Sequence, residues 1–238
     1  MKQDKNWQIA TLVESKVIAI NVKSLIFKPA RGQAHQSGQH YDLRLMAPNG
    51  YQAERSYSVA SPPENPGLIE FGVQLLANGE VSPYLWELKP GKQIEIRGPI
   101  GGHFVWDYLM SGPLVLIGGG SGMVPLIAMA RHWQVNWNKE TTPGQVIFLA
   151  SCRTLEHVLY REELEQLEKT GNNFRFVKVL TNTEKRVDEE KLRAVLGEIA
   201  SQMPMCYVCG PTGFVEAIAN ALVKLKINPH LIKTECFS

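Results

Sequence analysis

Leu114-Val115-Leu116-Ile117-Gly118-Gly119-Gly120-Ser121-Gly122 reads as a buried strand running directly into a glycine-rich turn. The run Leu114 to Ile117 has no polar face, so both sides of the strand must be covered, as in a parallel sheet with helices on each side. A helical pattern follows through about Trp133. Further strands are expected at 146–150, 174–180, 206–209 and 230–234, and helices at 156–169, 188–199 and 213–225. In the first of these helices Leu159, Glu163, Leu164 and Leu167 recur at helical spacing. Alternating strands and helices of this kind predict an α/β domain built on a parallel sheet.

Upstream of residue 110 the pattern differs. Short β-type runs at 16–22, 24–28, 40–46, 55–60, 69–75 and 93–98 are separated by turn signals at Pro48-Asn49-Gly50, Pro62-Pro63, Asn65-Pro66-Gly67, Asn78-Gly79 and Pro90-Gly91. Such punctuation predicts an antiparallel barrel, interrupted by one helix at 82–87 with Ser82 as N-cap and Pro83 at its first position. The expected architecture is therefore an N-terminal antiparallel β-barrel, residues 1–110, and a C-terminal α/β parallel-sheet domain, residues 111–238.

The chain has 238 residues, 44% hydrophobic and 20% charged, with a net charge of +2. That is the balance of a globular protein with real cores, and it carries no electrostatic footprint for nucleic acid. No apolar run is long enough for a membrane helix, and the polar residues 1–6 do not resemble a signal peptide, so a cytoplasmic protein is expected. Cys206-Tyr207-Val208-Cys209 has the CxxC form, but on a buried strand positions three apart point to opposite faces. No metal site is expected from it.

Several segments combine residue types suited to nucleotides. Glycines at 118–122, between a strand and a helix, allow a backbone to approach a phosphate at a helix N-terminus. Arg153 follows the next strand, where a dinucleotide fold that prefers NAD would carry an acid; a cation suits a 2′-phosphate, or it pairs with Glu156. Cys209-Gly210-Pro211-Thr212-Gly213 ends another strand, with Cys209 either a small buried hydrophobe or a group facing the ligand. Arg55-Ser56-Tyr57-Ser58 places Arg55 and Tyr57 on one face of a strand and the serines on the other. A guanidinium fork suits a diphosphate and a ring suits a planar heterocycle, the two needs of a flavin dinucleotide. By itself, though, this run also reads as an exposed strand, and Asn78 to Ser82 as a capped turn.

Taken in order, these segments resemble the ferredoxin–NADP reductase superfamily, and in particular the reductase part of bacterial oxygenase systems without a ferredoxin domain. The likeness spans residues 37–237. Gly38-Gln39-His40-Tyr41 is similar to the family's GQ-aromatic segment, Arg55-Ser56-Tyr57-Ser58 to its RxYS signature, and Gly79-Glu80-Val81-Ser82 to its second flavin-phosphate segment. Gly98-Pro99-Ile100-Gly101 resembles its GPxG loop, residues 118–125 its dinucleotide loop, and Cys209-Gly210-Pro211 its CGP motif. The resemblance implies a flavoenzyme that takes hydride from NADPH or NADH onto FAD and passes electrons to a ferredoxin, an oxygenase component or another one-electron acceptor. It implies that Arg55, Ser56, Tyr57, Ser58, Gly79, Val81 and Ser82 hold FAD. Gly119, Gly120, Ser121, Arg153, Cys209, Gly210 and Pro211 would hold the dinucleotide. Ser58, Cys209 and Glu235 would serve the chemistry, with Phe237 closing over the flavin. Two departures stand out: Gln74 occupies a position that is often basic, and Thr181-Asn182-Thr183 replaces the Ser-Arg pair of plant-type NADP enzymes. Other expectations are an electron-transfer subunit of a larger complex and a flavin-binding regulatory module without turnover.

Overall fold

A computed structural model describes residues 7–46, 49–65, 67–110, 112–137, 144–170 and 173–237. Residues 1–6, Pro48, Pro66, Ser111 and Ser238, on which some of the expectations above fall, lie outside them. The N-terminal half forms β1 (Gln8–Ala19), β2 (Val22–Pro29), β3 (His40–Met46), β4 (Gln52–Ser58), β5 (Ile69–Gln74) and β6 (Gln93–Ile100). They pair antiparallel in the order β4-β3-β6-β1-β2-β5. A bridge from Val59 to Phe71 and a bond from Ala60 N to Glu70 O at 2.8 Å draw the two edge strands together, so the sheet curls toward closure. Leu12, Leu25, Phe27, Tyr41, Leu43, Phe71 and Ile96 fill the interior, and helix α1 (Ser82–Glu87) adds Leu85.

Two local expectations are corrected here. The first strand starts at Gln8, not at residue 16, and the chain turns after Ala19. A register shift between Leu12 and Glu14 breaks the period-2 alternation by which such a strand is recognised. Ser82 does not cap α1: Val81 stands at the N-cap, and Ser82 Oγ accepts from Leu76 N at 3.1 Å.

The C-terminal half contains β7 (Leu114–Gly119), α2 (Met123–Asn136), β8 (Val146–Cys152), α3 (Arg161–Thr170), β9 (Phe174–Leu180), α4 (Glu189–Leu196), β10 (Met205–Pro211), α5 (Thr212–Lys224) and β11 (Ile232–Phe237). Its five strands are parallel, in the order β11-β10-β7-β8-β9. The wholly apolar β7 divides its side chains between two cores. Leu114 and Leu116 meet α2 and α3 residues such as Leu126, Trp133 and Leu164, while Val115 and Ile117 meet Leu192, Val215 and Leu222 of α4 and α5. Cys206 and Cys209 go to opposite faces in the same way, as strand geometry requires. The helix expected at 156–169 is divided: Leu155–His157 is one 3-10 turn, Tyr160 takes a φ of 51°, and α3 begins at Arg161. The last strand starts at Ile232 because Asn228, accepting from His230 N at 3.0 Å, holds a 3-10 turn over Pro229–Leu231.

The two halves are joined by a buried polar cluster. Arg131 of α2 donates to Glu70 Oε2 of β5 at 2.6 Å and to Ala60 O at 2.9 Å, and forks onto both oxygens of Glu163 at 2.6 and 2.8 Å. Tyr160 and Ser24 donate to the other Glu70 oxygen at 2.8 and 2.6 Å. An apolar seam beside it contains Ala60, Phe104, Trp106, Met123, Val124, Tyr207 and Cys209.

Candidate active site

The site is made from the end of β4, the segment before α1, and the carboxyl ends of β7, β10 and β11. On β4 the expected alternation is only partly visible in burial. Tyr57 is half-buried against the barrel core, and burial pushes its hydroxyl up to about 12, with the nearby Arg55 charge opposing. Arg55 is exposed and its guanidinium is already engaged: Nη1 donates to Glu54 O at 2.7 Å and Nη2 to Glu80 Oε2 at 3.1 Å. Ser56 points away and donates to Asp42 at 2.6 Å, whereas Ser58 is buried at the strand's end. Gly79 N donates to Leu76 O, so the turn at 76–79 sets Glu80 beside Arg55, and buried Val81 anchors the segment in the barrel core.

In the second half β7 ends at Gly119 and a 3-10 turn, Gly120–Gly122, leads into α2. A Cβ on Gly122 would lie 2.2 Å from the Cys209 carbonyl oxygen, so only glycine lets this turn rest on the end of β10. A Cβ on Gly120, which has φ +55°, would meet nothing within 4 Å among the described residues, so the tip beside Ser121 is open. The switch in strand order falls between β7 and β10, where open α/β sheets take their ligands.

Register then brings Cys209 next to Gly118 on one side and Glu235 on the other, and pairs Gly210 with Cys236 and Pro211 with Phe237. Cys209 is fully buried; burial, then the charge of Glu235, drives its thiol far above the usual range, so it stays protonated. Glu235 Oε2 is buried with no hydrogen-bond partner among the described residues, and burial raises this carboxyl to about 7. Phe237 is half-buried against the seam that holds Cys209 and Ala60, and Ala60 lies two residues beyond Ser58. The segment just after β4 and the ends of β10 and β11 thus border one apolar cluster. Arg153 is exposed after β8, its carbonyl accepting from Asn182 N at 3.1 Å, so residues 181–183 sit beside it. Glu156 accepts from Thr154 Oγ1 at 2.5 Å, and among the described residues no ion pair joins it to Arg153. A cleft of about 460 Å³ between β1 and α3, lined by Lys16, Leu155 and Arg161, contains none of the expected site residues. Reading by sequence missed Glu80 as a partner for Arg55, and Tyr51 as a donor to Glu80 at 2.8 Å, since Glu80 adjoins neither in the chain.

These features suit a flavin and a nicotinamide dinucleotide: an exposed guanidinium on β4, an open glycine turn, and a buried carboxylate oxygen without a hydrogen-bond partner among the described residues. The family description "Oxidoreductase FAD-binding domain" matches residues 9–106, and "Oxidoreductase NAD-binding domain" matches residues 116–220. The chain belongs to the ferredoxin–NADP reductase superfamily. As a member it is an oxidoreductase that uses FAD and NAD(P)H. NADH-cytochrome b5 reductase 2 of Aspergillus terreus is 28% identical over 235 residues, 94% of this chain and 72% of its own. The ferredoxin NADP+ reductase of Neisseria gonorrhoeae with bound FAD and NADP has the same fold, with a TM-score of 0.82 at 18% identity over 98% of this chain and 99% of that one. The cytochrome b5 reductase domain of Ulva prolifera nitrate reductase gives 0.81 at 21%, over 99% and 98%. Among the described residues no helix is long and apolar enough to cross a membrane.

Proposed function

We propose that this protein takes hydride from NADH or NADPH onto FAD and delivers the electrons singly to a small carrier protein, a ferredoxin or a haem protein. The observation that carries the reading is the ladder that sets Cys209 and Glu235 side by side, with Cys209 in the apolar cluster that also holds Ala60 of the barrel half. Residues 1–110 would hold FAD and residues 111–238 the dinucleotide. When bound, the flavin accepts a hydride whole and releases electrons one at a time. The residues around it supply position and a dry environment. Arg55, with the backbone of Gly79 and Val81 and the hydroxyl of Ser82, holds the diphosphate; Tyr57 flanks the ring, and Ser56 and Ser58 fix the strand beneath it. Gly119, Gly120 and Ser121 receive the dinucleotide pyrophosphate, Arg153 lies toward its ribose, and Gly210 and Pro211 border the nicotinamide. Cys209, kept as a neutral thiol, packs against the nicotinamide without reacting. Glu235, poised near neutrality, holds or gives a proton at its free oxygen, and Phe237 excludes water. Relatives named for cytochrome b5 support a protein acceptor, and four free cysteines, three of them buried, favour a reducing compartment such as the cytoplasm.

Stopped-flow mixing of the FAD-loaded protein with NADH and NADPH side by side tests the reaction. Loss of flavin absorbance with at least one dinucleotide, followed by reduction of a ferredoxin or of cytochrome b5, is expected. Bound FAD that neither dinucleotide bleaches would remove the proposal.

A further inference from the structure

Glu80 stands inside the segment assigned to the flavin diphosphate, yet it is an acid. Both of its carboxylate oxygens are occupied. Oε2 takes Arg55 Nη2 at 3.1 Å, and Oε1 takes the Tyr51 hydroxyl at 2.8 Å. The carboxylate therefore has a cation on one oxygen and a phenol on the other. We infer that Glu80 is an internal competitor of the flavin diphosphate for Arg55, and that it sets how readily this chain releases FAD. The inference rests on the role proposed above for Arg55.

Three features support it. First, two of the five guanidinium N–H donors are engaged, Nη1 by Glu54 O at 2.7 Å and Nη2 by Glu80 Oε2 at 3.1 Å, so a diphosphate approaching Arg55 meets the Glu80 carboxylate beside it. Second, the backbone under Glu80 is held while its side chain is free to turn. Val81 is 1% exposed in the barrel core, whereas the Glu80 and Arg55 side chains are 52% and 56% exposed. Third, the pair is cheap to break. Ion pairs this exposed are weak and screened by water, so Glu80 delays the diphosphate without barring it. A carboxylate that stayed in place would instead repel the incoming anion. The opposite role, in which Glu80 orients Arg55 for the diphosphate, predicts the opposite sign when the charge is removed.

The experiment uses the full chain freed of flavin, with FAD and riboflavin as probes. Fluorescence titration gives Kd, and displacement gives the dissociation rate. Glu80→Gln, which keeps the shape and removes the charge, is expected to tighten FAD about threefold and slow its release, the weight of one exposed ion pair. Riboflavin carries no phosphate, so its Kd is expected to stay the same. Circular dichroism checks that the variant is folded, and Glu80→Ala provides a second variant with the same expected direction. An FAD affinity that is unchanged or weakened in both variants, while wild type binds FAD, overturns the inference and leaves the proposed function intact. Absence of FAD binding in wild type and variants alike overturns both.

Discussion

Glu235 is the residue whose surroundings make the sharpest demand on its charge. One of its oxygens is buried without a hydrogen-bond partner among the described residues, and burial lifts the group from an ordinary 4.5 to about 7. Between those values the folded chain keeps a proton that the unfolded chain has lost. Stability should therefore fall as pH rises through that window and level off above it. Glu235→Gln removes the titration, so its urea midpoint is expected to change less between pH 4.5 and 7 than that of wild type. Parallel curves would show that some other group titrates there. At this scale strand alternation was legible in the sequence, as in Cys206 and Cys209 going to opposite faces, because it is a local property. The sequence was silent on the Glu80 contact, which lies 25 residues away from Arg55 and depends on how a turn is folded.

Among elements, the turn after β7 is the tightest constraint. Gly122→Ala would place a methyl group 2.2 Å from a carbonyl oxygen of β10, and a strand backbone cannot yield as a flexible side chain does. Separation of α2 from β10 is expected, with a loss of about 2 kcal/mol or more in urea unfolding. Gly120→Ala provides the contrast, since it meets open space and bears only the strain of φ +55°, about 1 kcal/mol. Equal losses in the two variants would refute the close-approach argument. The elements that sequence misplaced share a cause: each departs from a regular period. β1 carries a register shift between Leu12 and Glu14, and the helix expected at 156–169 is interrupted where Tyr160 adopts φ 51°. The unbroken apolar β7 was legible because burial on both faces leaves a continuous signal.

For the whole molecule, the decisive contact is Arg131 between the halves. Its side chain is 16% exposed and that of Glu70 11%, and among the described residues no other cation pairs with either carboxylate. Burial works against the Arg131 charge, but Glu163 and Glu70 together outweigh it and its pKa is raised. Arg131→Met leaves buried negative charge uncompensated, with an expected loss of about 3 kcal/mol. Adding Glu70→Gln should recover part of it; a single variant as stable as wild type would show that the cluster does not bind the halves together. Residues 60, 70, 131 and 163 come together only when the barrel meets the α/β half, so no local pattern announces them. By itself the sequence determined the two kinds of sheet, their order, and the segments able to meet phosphates and rings, because periodicity and turn chemistry act over a few residues. Only the tertiary structure decided which side chains share the site: that Glu235 lies beside Cys209, that Glu80 occupies Arg55, and that Arg131 closes the seam. Those choices follow from strand register and from the burial of charge, which are properties of the packed chain.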